Sequence, residues 1–120
     1  MSVKTVDKPW GHELIWAVTD RYVGKILHIK KGQALSLQYH VKKDETVMVL
    51  KGKMAFTHYR DGEAPVVSEF GPLEPFHVTP GLRHRMTALE DTDVIEVSTT
   101  ELDDVVRLED RYGREGTSKA

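Results

Sequence analysis

A train of short apolar or alternating runs, each cut off by turn residues, constrains this chain more than any other feature. The runs read YVGKILHI, LSLQYH, ETVMVL, MAFTHY, PVVSEF, FHV, HRMTAL and VIEVST, with KKG, VKKD, KGK, RDGEA, GPLEP, TPGLR and EDTD among the breaks. β-Branched and aromatic residues are common in the runs, and their regular spacing predicts a sandwich or closed barrel of short strands rather than βαβ units. One segment reads differently. Leu102, Val105, Val106 and Leu108 stand at roughly helical spacing, which predicts a short C-terminal helix over Glu101–Asp110. The expected organisation is one domain over residues 1–114 and a polar, flexible tail over 115–120. The two tryptophans of TVDKPWGHELIWA are expected to pack on the barrel.

Composition removes several function classes. Seventeen basic against nineteen acidic residues give a net charge of -2, which argues against a nucleic-acid partner. With no cysteine, disulfides, thiolate metal sites and cysteine nucleophiles are excluded. The opening MSVKTVDKPWGHE lacks the long apolar stretch of a signal peptide or membrane span. The expectation is a soluble, cytoplasmic protein with no membrane partner.

The chemistry concentrates in LSLQYHVKKDE. Side chains alternate along a strand, so Ser36, Gln38 and His40 share one face and Leu35, Leu37 and Tyr39 the other. After the VKKD turn the chain returns as ETVMVL, and Glu45 can lie beside His40 across the hairpin. An amide oxygen, an imidazole and a carboxylate then converge, a donor set that suits Zn, Mn, Fe, Co or Ni better than Ca or Cu(I). A polar strand pair with a satisfied histidine fits this hairpin equally well. His84, after the Pro80–Gly81 turn, would supply the remaining ligand; alone, it reads as a surface histidine.

Gly32, Gln38, His40, Glu45 and Gly52 resemble the first cupin motif in spacing, and Pro80, Gly81 and His84 resemble the second. More narrowly, the chain resembles the C-terminal cupin domain of the type II mannose-6-phosphate isomerase / mannose-1-phosphate guanylyltransferase family. The resemblance rests on KPWG at Lys8–Gly11, LSLQYH at Leu35–His40, PGLRHR at Pro80–Arg85, IEV at Ile95–Val97 and DDVVRLEDRYGR at Asp103–Arg114. It implies an all-β fold, a small cupin jelly-roll β-barrel. It also implies one divalent metal ion on Gln38, His40, Glu45 and His84, with glutamine where other cupins carry histidine. The chain departs from the family pattern in two places. Lys43 stands where the family has the arginine of an HHHR-like run, and Thr87 and Ala88 occupy the stretch where an asparagine follows HR.

Alternation places Lys25 on the face of Val23, Leu27 and Ile29, and the resemblance puts a lysine there inside the pocket. It is a candidate for proton transfer or for binding an oxyanion, against the plainer reading of a lysine snorkelling at the rim. Lys43, Arg83 and Arg85 are candidates for a phosphate clamp, or ordinary solvated charge; His28, His58 and His77 are less specific. The resemblance implies an aldose–ketose isomerase of a sugar phosphate such as mannose 6-phosphate. Two alternatives are a non-catalytic cupin that binds a sugar or nucleotide sugar, and an iron-dependent dioxygenase. An outward face with Met48 and Leu50, and Leu35 and Leu37 nearby, predicts a homodimer.

Overall fold

In Glu45–Lys51, Glu45, Val47 and Val49 are buried while Thr46 and Met48 are half-exposed. That alternation marks a strand with one face on a core. The computed structural model describes residues 2–118 and builds such strands throughout. They are β1 (Lys4–Lys8), β2 (Gly11–Val18), β3 (Val23–Ile29), β4 (Leu37–Tyr39), β5 (Glu45–Lys51) and β6 (Met54–Tyr59). There follow β7 (Val66–Phe70), β8 (Pro75–Val78), β9 (Arg83–Ala88), β10 (Thr92–Ser98), β11 (Val105–Glu109) and β12 (Gly116–Ser118). No helix is found among the described residues.

The strands form two antiparallel sheets in a jelly roll, in the orders β1-β2-β3-β10-β5-β8 and β12-β11-β4-β9-β6-β7. Neighbours distant in sequence, such as β3 with β10 and β4 with β9, join the chain's halves within each sheet. The first sheet contributes Leu27, Ile29, Val47, Val49 and Val94 to the core, and the second Met54, Phe56, Met86 and Ala88; Trp10 joins them from the β1–β2 turn. Gly52 closes the β5–β6 turn at φ 97°, and a Cβ there would stand 2.4 Å from the Asp91 carbonyl oxygen, so only glycine fits.

Three expectations from the sequence are corrected. The helix expected over Glu101–Asp110 is replaced by β11, which pairs with β4 on one side and β12 on the other. Four apolar positions in so short a span satisfy either period, and the unpaired edge of β4 decides for the strand. Gly116–Ser118, expected in a free tail, forms β12 on that edge; Lys119 and Ala120 lie outside the described residues. Leu35 is not on an outer face: it is buried in the core cluster, and it precedes β4, which begins only at Leu37. Leu37 is buried as well.

Candidate metal centre

His40 directly follows β4, Glu45 opens β5, and His84 lies near the start of β9. The VKKD turn therefore returns Glu45 to His40, while the β4–β9 register sets Gln38 opposite His84. The three candidate ligand atoms of His40, Glu45 and His84 lie within 4.8 Å of one another, and all three residues are buried. Each imidazole is oriented through its other nitrogen. His40 Nδ1 is 2.6 Å from the Asp104 carbonyl oxygen, and His84 Nδ1 is 2.9 Å from that of Leu82. A carbonyl can only accept, so both rings carry the Nδ1 proton and turn an Nε2 inward.

Those inward atoms test whether a metal fits. His40 Nε2 and His84 Nε2 are buried without a hydrogen-bond partner, at 3.3 and 3.7 Å from Glu45 Oε1. Two buried imidazole lone pairs facing a carboxylate oxygen repel one another unless a cation lies among them. A divalent ion satisfies all three, and the carbonyl bonds on Nδ1 are the usual support for ligating histidines. Lys43 occupies the other oxygen of the carboxylate: its Nζ lies 3.0 Å from Glu45 Oε2 and 3.0 Å from Glu96 Oε2. Only Oε1 of Glu45 thus faces the histidines.

Electrostatics keep these donors in ligating form. Burial pushes the His84 imidazole below its ordinary pKa, so the ring is neutral at neutral pH. Burial alone would raise the Glu45 carboxyl, but the Lys43 ammonium 3.0 Å away holds it well below the usual carboxylate range. Burial opposes the charge on Lys43 too, yet Glu96 and Glu45 hold its pKa well above the ordinary lysine value. Burial, then the charge of Glu45, pushes Glu96 up.

Gln38 lines the same cavity, and its Oε1 accepts a hydrogen bond from Ser36 Oγ at 2.6 Å. Lys25 is buried in the cavity wall and pairs with Glu13 Oε2 at 3.4 Å. Lys43 is buried between its two carboxylates rather than at a rim. Arg85 is not brought to the site. It alternates with His84 and Met86, which point inward, and its guanidinium donates to the carbonyls of Leu35 (3.0 Å) and Glu109 (3.3 Å).

Sequence reasoning missed several cavity residues. Glu96 is flanked by Ile95 and Val97, which look like core; the signal was the alternation Val94–Glu96–Ser98, all buried. Arg107 was hidden by the helical reading of its segment, although Val105 and Arg107 share a face once β11 is a strand. Asp104 has no signature of its own: its carboxylate accepts the backbone N–H groups of Val41, Lys42 and Lys43 at 3.0, 2.7 and 2.9 Å, fixing the turn between two candidate ligands.

Residues 1–110 match the family model described as mannose-6-phosphate isomerase C-terminal. Among curated proteins, the chain is 35% identical over 119 residues to the mannose-1-phosphate guanylyltransferase ManC of Salmonella typhimurium. It is 31% identical over 116 residues to the xanthan biosynthesis protein XanB of Xanthomonas campestris. These alignments cover 92% of this chain but only 23% and 24% of the relatives, so the chain spans about a quarter of their length. Among solved structures, oxalate decarboxylase from Bacillus subtilis superposes with a TM-score of 0.76 at 16% identity, over 88% of this chain and 30% of that one. KdgF from Halomonas sp. superposes with a TM-score of 0.66 at 23% identity, over 81% and 87%. At such identities these structures speak to the fold alone, whereas the family match spans almost the whole chain: it belongs to the mannose-6-phosphate isomerase C-terminal family of cupins.

Proposed function

We propose that the chain is a metal-dependent aldose–ketose isomerase of a sugar phosphate, with mannose 6-phosphate the first substrate to test. The observation that carries this reading is the pair of buried, unpartnered imidazole nitrogens converging on Glu45 in a cavity that also holds a buried lysine. The family's description and its relatives' names, which point to phosphorylated mannose, support the substrate class.

In this reading His40, Glu45 and His84 hold the ion, with Gln38 as the fourth ligand. A divalent ion there would supply a Lewis acid for adjacent carbonyl and hydroxyl oxygens. Lys43 and Asp104 position ligands: the first holds one oxygen of Glu45, the second the turn beside His40. Lys25 and Glu13 form the proton-bearing pair near the reacting carbons, the carboxylate accepting a proton and the ammonium holding an oxygen that gains charge.

The test is a coupled assay of chain reconstituted with Zn, Mn, Fe, Co or Ni against hexose and pentose phosphates. Turnover that falls sharply in Lys25→Ala, with metal loading unchanged, supports the assignment. Turnover that survives Lys25→Ala removes that residue from the mechanism. No turnover on any of the sugar phosphates would sink the isomerase reading and favour a cupin that binds sugar without converting it.

A further inference from the structure

Val105 and Arg107 are the inward positions of β11, each about 7% exposed, whereas Leu108 is 42% exposed. An arginine this deep normally has carboxylate or carbonyl partners, because a buried N–H left unpaired costs about 1–3 kcal/mol. Arg107 has none for two of its nitrogens: Nε and Nη1 are both buried without a hydrogen-bond partner among the described residues. Its nearest acidic neighbours are already engaged. Glu13 pairs with Lys25 at 3.4 Å, and Asp110 receives the Nε and Nη2 protons of Arg114 at 2.9 and 3.1 Å.

The cavity wall that holds Arg107 also holds Lys8, Lys25 and Arg114. Among the described residues Lys8 makes no ion pair. Its pKa is lowered, by burial first; Glu13 acts against the shift, and Lys25, Arg107 and Arg114 each add to it. Four cations thus meet two carboxylates at this end, Glu13 paired with Lys25 and Asp110 with Arg114. Strand register fixes their relation to the candidate metal centre: Arg107 lies opposite Gln38 across β11 and β4, and Gln38 opposite His84 across β4 and β9. Two strand spacings, roughly 10 Å, separate Arg107 from His84, a span on the scale of a hexose 6-phosphate.

The geometry points to a phosphate subsite built by Arg107 with Lys8, set to hold the phosphate of a sugar whose carbonyl end faces His40, Glu45 and His84. The missing partner must be anionic, must bring several acceptor oxygens and must reach a buried guanidinium; a phosphate monoester meets all three conditions. The three residues expected from sequence to clamp phosphate are otherwise occupied, Lys43 between Glu45 and Glu96, Arg85 on backbone carbonyls and Arg83 on Asp61. Only the identity of the sugar rests on the isomerase reading; the anion subsite stands on Arg107 itself.

Inorganic phosphate is the probe, titrated by calorimetry into metal-loaded wild-type chain and into Arg107→Gln, Arg107→Lys, Lys8→Gln and His84→Ala. Saturable binding should weaken about tenfold or more in Arg107→Gln, recover in part in Arg107→Lys and weaken in Lys8→Gln. It should persist in His84→Ala, since the subsite does not need the metal. Lys8→Gln serves where Arg107→Gln does not fold. No saturable binding to wild type, or equal affinity in Arg107→Gln and Lys8→Gln, overturns the subsite. Loss confined to His84→Ala places phosphate on the metal and overturns it too. Phosphate binding without turnover would defeat the isomerase reading and leave the subsite standing. Turnover of a sugar phosphate with an unchanged KM in Arg107→Gln would do the reverse.

Discussion

The two ends of one cavity treat buried charge in opposite ways. At the metal end Lys43 sits 3.0 Å from each of two carboxylates, and every charge there has a partner inside the chain. At the other end Arg107 is equally buried, yet two of its donors have no partner. The first is a closed network whose removal leaves orphans behind. The second is an open one, waiting for an acceptor from outside. Equal burial therefore does not mean an equal role in stability, and substitution at the two places should separate them.

The largest effect expected is at the closed end. Lys43→Met leaves Glu45 and Glu96 facing each other without a cation, which should destabilise the metal-free chain by on the order of 3–5 kcal/mol. Arg107→Met orphans no partner and should fall within about 1 kcal/mol of wild type in phosphate-free buffer. Urea unfolding of both variants gives the comparison directly. Equal losses would erase the distinction between the two ends.

Metal loading comes next. His40→Ala and His84→Ala should each lower affinity at least about a hundredfold, while His28→Ala and His77→Ala leave it unchanged, as elemental analysis after dialysis would show. His28 and His77 pair instead with Asp93 and Asp44 near the surface. The metal-free chain should also lose stability in acid. The folded His84 has a pKa below its ordinary value of 6.5, so the unfolded chain binds more protons as pH falls. The His84 contribution is complete above that value and is lost on descending through it; the low pKa of Glu45 extends the loss further down. Lys43, whose pKa is raised, stays charged throughout and adds no slope. Unfolding midpoints at about pH 8 and about pH 5.5 would check this, and a midpoint that rises in acid would contradict it.

These contrasts also show what was legible in the sequence. The punctuated runs marked the strands from Val23 to Ser98, and the VKKD hairpin with the later His84 brought the candidate ligands His40, Glu45 and His84 to one place. β1 and β2 escaped notice because Pro9, Trp10 and Gly11 interrupt the alternation with a turn that reads as a loop. The open end escaped because β11 has only five residues, too few to separate a period of two from one of 3.6. Partners across a sheet, unlike residues along a strand, leave no local signal.

Asp104 offers a smaller test of the closed end. Removing its carboxylate in Asp104→Ala frees three backbone N–H groups of the turn between His40 and Glu45, at a cost of about 1–2 kcal/mol. Metal affinity should fall with stability, whereas phosphate affinity should not; a fall in both would couple the two ends. The smallest effect concerns assembly. Leu50 and Val97 lie 39% and 49% exposed, on strands that face the cavity with their other side. The homodimer expected from the sequence would cover this surface and give concentration-dependent sedimentation at micromolar protein. A single monomeric species throughout would remove that expectation and leave both cavity ends as described.

The bond from His40 to the Asp104 carbonyl spans 64 residues of sequence, and the register of Arg107 with Gln38 spans a similar stretch. Neither end of the cavity can form until segments more than sixty residues apart have met. Few contacts are local and loop closure must come first, so folding should be slow for a domain of this size, in the range of milliseconds to seconds. Sites assembled that late contribute little to the barrier on the folding side. A bound ion or phosphate should therefore leave the refolding rate nearly unchanged and slow unfolding instead, lengthening the life of the native barrel rather than hastening its birth.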